Sequence, residues 1–321
     1  MANPQQSFFS TLSPRNLWGL FVTTFNEWLE DKAPQLGGAL AFYTVFSLAP
    51  MILVLLAVVG VIFRNDPAGA WDKITDQMSY FLDPSGVAVV QDIAKTAAKP
   101  AAGFWATVIG VALAVFGASC VFAQLQDALN TIWGVKAKPG AAIGGYIRVR
   151  FLSFAMVGGI CFLLLVTLTI DALLKAFSHY LETWLPGGAA LGVVIYMVVS
   201  LTLMVLLFAL MFRYLPDVEV QWRDMWVGAA MTALLFVAGK WALGLYLGSG
   251  AAGSAYGAAS SLVTLLIWVY YSSQILLFGA EFTQVYANRF GAGAKPSKHA
   301  VAIETTEEEI SKPGETPVRG V

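Results

Sequence analysis

Charge is what this chain has least of. Lysine, arginine, aspartate and glutamate make up 12% of its 321 residues, about half the share an ordinary soluble domain carries. With 58% of residues hydrophobic, a soluble fold of this length could not solvate itself, and most soluble functions are excluded. Histidine is scarce too: His179 and His299 stand far apart, and neither has a second His, Cys or carboxylate at a ligand spacing. No metal and no cofactor is therefore expected. The two cysteines, Cys120 and Cys161, fall inside apolar runs, where a thiol serves as a small packing residue, so no disulfide framework is implied. Met1 to Ser13 is polar apart from one Phe pair. It lacks the pattern of a cleavable signal, and the first long helix is expected to be retained as its own insertion signal.

What the chain has instead is apolar runs of about twenty residues or more, each long enough to cross roughly 30 Å of hydrocarbon. Six of them run from Leu36 to Phe63, Phe104 to Ala123, Phe151 to Leu174, Ala189 to Phe212, Trp226 to Leu247 and Ser260 to Ala280. The expected fold is all-α: a polytopic membrane bundle of six transmembrane helices with short amphipathic helices. Three regions follow. Residues 1–35 form an N-terminal segment with an interfacial helix, 36–288 the transmembrane domain, and 289–321 a tail rich in Gly, Ala, Lys, Pro and Glu that is expected to be disordered.

Basic residues give the bundle a direction. If the N-terminus is cytoplasmic, thirteen fall on the inner side: Arg15, Lys32, Lys136, Lys138, Arg148, Arg150, Arg213, Arg223, Arg289, Lys295, Lys298, Lys312 and Arg319. Arg64, Lys73, Lys95, Lys99 and Lys175 fall outside. The positive-inside rule then places both termini in the cytoplasm.

Between the spans, two segments carry helical patterning. From 14 to 31, Pro14 suits a first turn and Leu17, Phe21, Phe25, Trp28 and Leu29 recur at helical spacing, as in a helix lying along the inner leaflet or packed on the bundle ends. In the outer loop 64–102, Trp71, Ile74, Met78, Phe81 and Leu82 form one stripe, and Val87, Val90, Ile93 and Ala94 begin another. Two short helices broken at Asp83–Pro84 fit this pattern.

Polar groups inside apolar helices are costly, so their positions carry information. Asp171 and Lys240 lie at matching depth near the outer ends of their helices and form a candidate intramembrane ion pair; the alternative has Lys240 snorkelling to the headgroups and Asp171 facing the loop. Pro50 removes a backbone hydrogen bond and favours a kink, where Ser47 could satisfy a freed carbonyl. Gln274 is the most deeply placed amide and should donate to a neighbouring backbone. Gly244 and Gly248 form a GxxxG that permits close helix contact, within the bundle or in a dimer. On the inner side, Gln124, Asp127 and Asn130, then Arg213 and Asp217, then Glu281 and Gln284 come from three helices at similar depth. They outline a candidate polar cavity, although helix-end hydrogen bonding would gather the same groups.

Four stretches then resemble one family. Ala39 to Pro50 (ALAFYTVFSLAP), Ala123 to Gly134 (AQLQDALNTIWG), Tyr214 to Asp217 (YLPD) with Trp222-Arg223-Asp224, and Leu276 to Phe282 (LLFGAEF) look like the YihY/BrkB family of bacterial inner-membrane proteins, also labelled "ribonuclease BN". The resemblance covers roughly residues 15 to 290. It implies a six-helix inner-membrane protein with cytoplasmic termini, envelope phenotypes such as serum resistance, and a suggested role in moving lipid or lipopolysaccharide precursors. The ribonuclease label finds no acid–base or metal constellation here, so no enzyme activity and no nucleic-acid partner is expected. The leading reading is translocation or permeation of a lipid-like or small amphiphilic component, with membrane lipids and a second copy of the chain as partners. A non-enzymatic scaffold for envelope machinery is the alternative. An embedded enzyme would need the Asp127, Arg213 and Glu281 group.

Overall fold

Once water is excluded, an apolar run can satisfy its backbone only by bonding to itself, which makes helices of these stretches. The computed structural model describes residues 14–62, 66–78, 84–97, 104–138, 188–248, 260–298 and 300–303, and these are mostly helical. The third apolar stretch lies outside the described residues, with Cys161, Asp171 and both histidines; the expected Asp171–Lys240 pair falls there too. Among the described residues the order is α1 (Pro14–Glu30), α2 (Ala33–Ile62), α3 (Pro67–Met78), α4 (Pro84–Ala97), α5 (Phe104–Ile132) and β1 (Val135–Ala137). It continues with α6 (Gly188–Tyr214), β2 (Val218–Glu219), α7 (Trp222–Gly248), α8 (Ser260–Phe290), β3 (Lys295–Pro296) and β4 (Ala300–Ala302).

Three described helices are long and apolar enough to cross a membrane: Val194–Tyr214 in α6, Trp222–Tyr246 in α7 and Leu262–Phe290 in α8. By length alone α2, with 30 residues, and α5, with 29, also exceed the roughly 20 that a crossing takes. α2 runs through Pro50 as one helix, and Ser47 Oγ donates to Thr44 O at 2.9 Å. α2 packs on α5 and α8, α8 also packs on α7 and α1, and α6 leans on α7. Their shared core holds Leu40, Phe122, Leu129, Ile132, Phe212, Met225 and Leu277.

The α7–α8 seam is close because glycine and threonine alternate across it. A side chain at Gly228 would overlap Thr283, and one at Gly279 would overlap Thr232. Each threonine turns its hydroxyl back to its own helix, Thr232 Oγ1 to Gly228 O (2.7 Å) and Thr283 Oγ1 to Gly279 O (2.6 Å), and that hydroxyl, with the methyl beside it, lies against the opposing glycine. Small residues that let backbones approach are the usual basis of helix association in lipid, where no hydrophobic driving force acts between helices. Gly244, by contrast, faces open space.

The two short helices expected between the first spans are α3 and α4, with α4 beginning at Pro84. They are not detached: Val90 and Ala94 are buried with Ile52 of α2, and Trp71 and Met78 pack against them.

Residues 289–298 and 300–303, which the sequence suggested as the start of a disordered tail, carry helix, strand and turn instead. After α8, Gly291 and Gly293 both donate to Ala287 O at 3.0 Å, with Gly293 in the left-handed region that caps such helices. β3 then pairs antiparallel with β2, and β4 with β1. The reason is positional: α5 and α6 each run into a short strand with an unpaired edge, and the returning chain satisfies both. Residues 304–321 lie outside the described residues.

Candidate functional site

α5 continues beyond its apolar run as the sequence suggests, and its phase decides which polar residues matter. Leu125, Leu129, Ile132 and Trp133 turn into the core, carrying Gln126 and Asn130 with them at i, i+4. Both are buried. Gln126 Nε2 and Asn130 Nδ2 each donate to Asp217 Oδ2 at 3.1 Å, and Asp217 N donates to Asn130 Oδ1 at 2.7 Å. The loop after α6 is thereby clamped to α5. Asp217 O also accepts from Ser297 N at 2.9 Å, drawing in the C-terminal strands. Asp127, one residue along the helix, is exposed instead, and Gln124 is half-buried.

Arg213 does not join the clamp. Its guanidinium donates to Val220 O and lies 5.9 Å from the centre of the Trp222 ring, closing the loop from the α6 side. Asp224, buried in the first turn of α7, has its carboxyl against the backbone of Gly291, where any side chain would overlap it. The YLPD and Trp-Arg-Asp stretches are thus parts of one latch holding the ends of α5, α6, α7 and α8.

A second polar group sits within the bundle where α8 meets α1, and it is built differently. Glu281 is wholly buried, and neither carboxyl oxygen has a hydrogen-bond partner. Acting on it are Asp31, just past the end of α1, and Glu27 within α1. The carboxyls of Asp31 and Glu281 act on one another directly, and as carboxylates both could only accept a hydrogen bond. Burial raises the Asp31 carboxyl above the usual carboxylate range; the neighbouring Glu281 carboxyl partly offsets this, and Glu30 adds to it. Glu27 is raised by burial, then by Asp31 and Glu30. Thr24 Oγ1 and Trp28 Nε1 on α1, and Gln284 Oε1 on α8, are also buried without partners. Gln274, two turns earlier on α8, donates through Nε2 to Pro34 O at 3.4 Å, as its depth suggested.

α1 owes this position to its two faces. Leu20, packed with Phe282, Val285 and Tyr286, holds it to α8, with Phe21 against them; Trp18, Val22, Phe25 and Leu29 form an apolar stripe that stays exposed. A left-handed turn at Lys32 (φ 54°), closed by Asp31 N to Glu27 O and Gln35 N to Lys32 O, both 2.8 Å, then redirects the chain into α2.

Of the seven cavity candidates, the structure brings Asn130 and Asp217 together and sets Glu281 with Gln284 on α8 in a separate place. Gln126 was missed, although its i, i+4 spacing to Asn130 was available. Glu27 and Asp31 were missed as well; with Thr24 and Trp28 they recur at spacings of three and four, which marks a polar stripe on the helix read as lying along the inner leaflet or packed on the bundle ends. Among the described residues no group of three or more His, Cys, Asp or Glu is placed to hold a metal ion.

A mostly helical bundle with apolar helices of membrane-crossing length defines an integral membrane protein. Residues 24–304 match the family model described as Virulence factor BrkB, and the chain belongs to that family, as its four motifs suggested. It is 26% identical over 284 residues to a UPF0761 membrane protein of Alcanivorax borkumensis, covering 88% of this chain and 62% of that one. Identity to the UPF0761 membrane protein of Tolumonas auensis is 27% over 278 residues, 83% of this chain and 86% of that one. For the UPF0761 membrane protein of Verminephrobacter eiseniae it is 31% over 278 residues, 83% and 62%. The chain thus spans a little under two thirds of the Alcanivorax and Verminephrobacter relatives. No solved structure matches it.

Proposed function

We propose that this protein resides in the bacterial inner membrane with six crossings and both termini in the cytoplasm, and that it moves or admits a lipid-like or small amphiphilic envelope component without catalysing a reaction. The observation that carries the reading is Glu281: a carboxyl kept wholly buried and unpartnered in an apolar helix costs stability, and such groups persist in membrane helices where they serve a pathway or relay. Placement in the bilayer is supported by the aromatics of α7. Trp222 and Trp226 are exposed near one end, Trp241 and Tyr246 near the other; at 15 to 24 residues apart they are separated by about 22–36 Å, the spacing of interfacial belts. The exposed stripe of α1 supports an interfacial position in the inner leaflet, with lipid as its partner.

Reconstitution in proteoliposomes carrying a headgroup-labelled phospholipid tests this. Protein-dependent exchange between leaflets is expected, reduced at least fivefold by Glu281→Gln at equal incorporation. No protein-dependent exchange with anionic or zwitterionic lipids, together with unchanged envelope lipid on deletion, would overturn it. The same α1 stripe favours a second reading, a scaffold that binds envelope machinery. Site-specific cross-linking from Trp18 and Phe25 separates the two: protein adducts support the scaffold, lipid adducts the first reading.

A further inference from the structure

Asp31 and Glu281 face one another across the α1–α8 contact, and among the described residues no positive group acts on Glu281. Only Glu27 and Asp31 act on Glu281, and Glu30 acts on Asp31, all three from α1 or its end. Of the other elements packed on α8, α2 is preceded by Lys32, α4 carries Asp92 and Lys95, and α5 carries Asp127, all exposed. From α7, Arg223 and Asp224 act on Tyr286, further along α8. Two carboxylates left in this setting would repel one another with little water to screen them.

Independent of the acids, three more buried polar atoms on the same two helices lack partners: Thr24 Oγ1, Trp28 Nε1 and Gln284 Oε1. Thr24 is wholly buried. The oxygens can accept a hydrogen bond, and neither carboxylate can donate one until it is protonated. A metal ion does not fit, because no three acidic, His or Cys side chains among the described residues converge on one point. A proton needs neither a cavity nor converging ligands.

We propose that Asp31 and Glu281 form a proton-binding site that ties α1 to α8. A hydronium ion from the surrounding water gives one proton to one carboxylate oxygen and leaves as water; the new O–H donates to the other carboxylate, and a repulsive pair becomes a charge-assisted hydrogen bond. Loss of the proton restores the repulsion, with Glu27 adding to it, and loosens α1 at the Lys32 turn. The raised carboxyls of Asp31 and Glu27 accord with this. The site stands whether or not the protein moves a lipid, so its test uses no flux measurement.

The experiment is a pH titration of the full-length protein in nanodiscs, followed by infrared spectroscopy of the protonated-carboxyl band and by hydrogen exchange of residues 14–35, corrected for intrinsic rates. The wild type should show a band persisting above the ordinary carboxylate range, and above its midpoint α1 should open about tenfold more often per pH unit. Glu281→Gln and Asp31→Asn each supply a permanent N–H donor; both should lose the band and hold α1 closed at every pH. Glu27→Gln should keep band and pH dependence, with a lower midpoint. The proposal fails if the wild type shows no such band, if α1 opens independently of pH, or if both amide variants keep the wild-type dependence. Should Glu281→Gln not fold, Asp31→Asn alone decides between these outcomes.

Discussion

Asp217 and Glu281 are both buried carboxyls, and only the first is provided for. Asp217 has two amide donors on its carboxylate and a third bond through its backbone N–H; Glu281 has none. A buried charge that is fully hydrogen-bonded specifies where its neighbours go, because every alternative arrangement strands one of them. A buried carboxyl without partners does the opposite. It costs stability and, without a proton to share, holds no neighbour in place, which makes it the one to examine for function. The contrast also orders the family motifs: YLPD and the AQLQDALN stretch build the clamp, whereas GAEF carries the unpartnered acid.

The sharpest way to break the comparison is at the satisfied end. Asp217→Ala removes the acceptor for Gln126 and Asn130 and leaves two buried amides unpaired, a loss of roughly 3–5 kcal/mol. Thermal unfolding in detergent should show it, with the C-terminal strands released first, since Ser297 also bonds to residue 217. Glu281→Gln should be neutral or stabilising in the same assay at neutral pH. If the two substitutions cost the same, the distinction between a clamp and an unsatisfied acid is wrong.

The α7–α8 seam should respond next. Gly279→Ala drives a methyl into Thr232, and overpacking of this kind costs about 1–3 kcal/mol. Thr232→Ala in the same chain should recover most of it, and Gly228→Ala with Thr283→Ala should behave alike. Failure of either double variant to recover would mean the helices are held apart by something other than these contacts.

Acid and base should then act through Asp31 and Glu27. Asp31 and Glu27 have raised values in the folded state, so the native protein holds more protons than the unfolded chain once pH exceeds the ordinary values of 3.8 and 4.5. Their stabilising contribution is complete below those values and is lost as pH rises through the raised ones, by up to about 1.4 kcal/mol per pH unit for each proton. Stability measured from mildly acidic to neutral pH should therefore fall in the wild type and flatten in Asp31→Asn.

The helices and the membrane class were legible because apolar length alone decides them, and so was the bond from Gln274 to a neighbouring helix's backbone. What stayed hidden depended on partners distant in the chain. Gln126 rather than Asp127 enters the clamp because α5 is rotated by its contacts with α2, a matter of packing that local polarity does not encode. Lys295 to Ala302 reads as solvated tail until the strand edges at Val135 and Val218 are in place. The α1 stripe was misjudged for a related reason: Phe21 and Trp28 were grouped with Phe25 and Leu29, yet the first pair packs against the bundle and the second pair is exposed.

The smallest effect concerns the turn that sets Asp31 against Glu281. Lys32 occupies the left-handed region, which costs a residue with a Cβ about 1–2 kcal/mol and glycine almost nothing, although glycine loses more freedom on folding. Lys32→Gly should therefore stabilise the protein by no more than about 1 kcal/mol, read as a small rise in unfolding temperature. Its use lies in what it leaves alone. If the acid pair governs α1, removing the strain shifts stability equally at every pH and preserves the slope seen in the wild type. If the slope vanishes with Lys32, the strained turn rather than the carboxyl pair is the element that pH acts on.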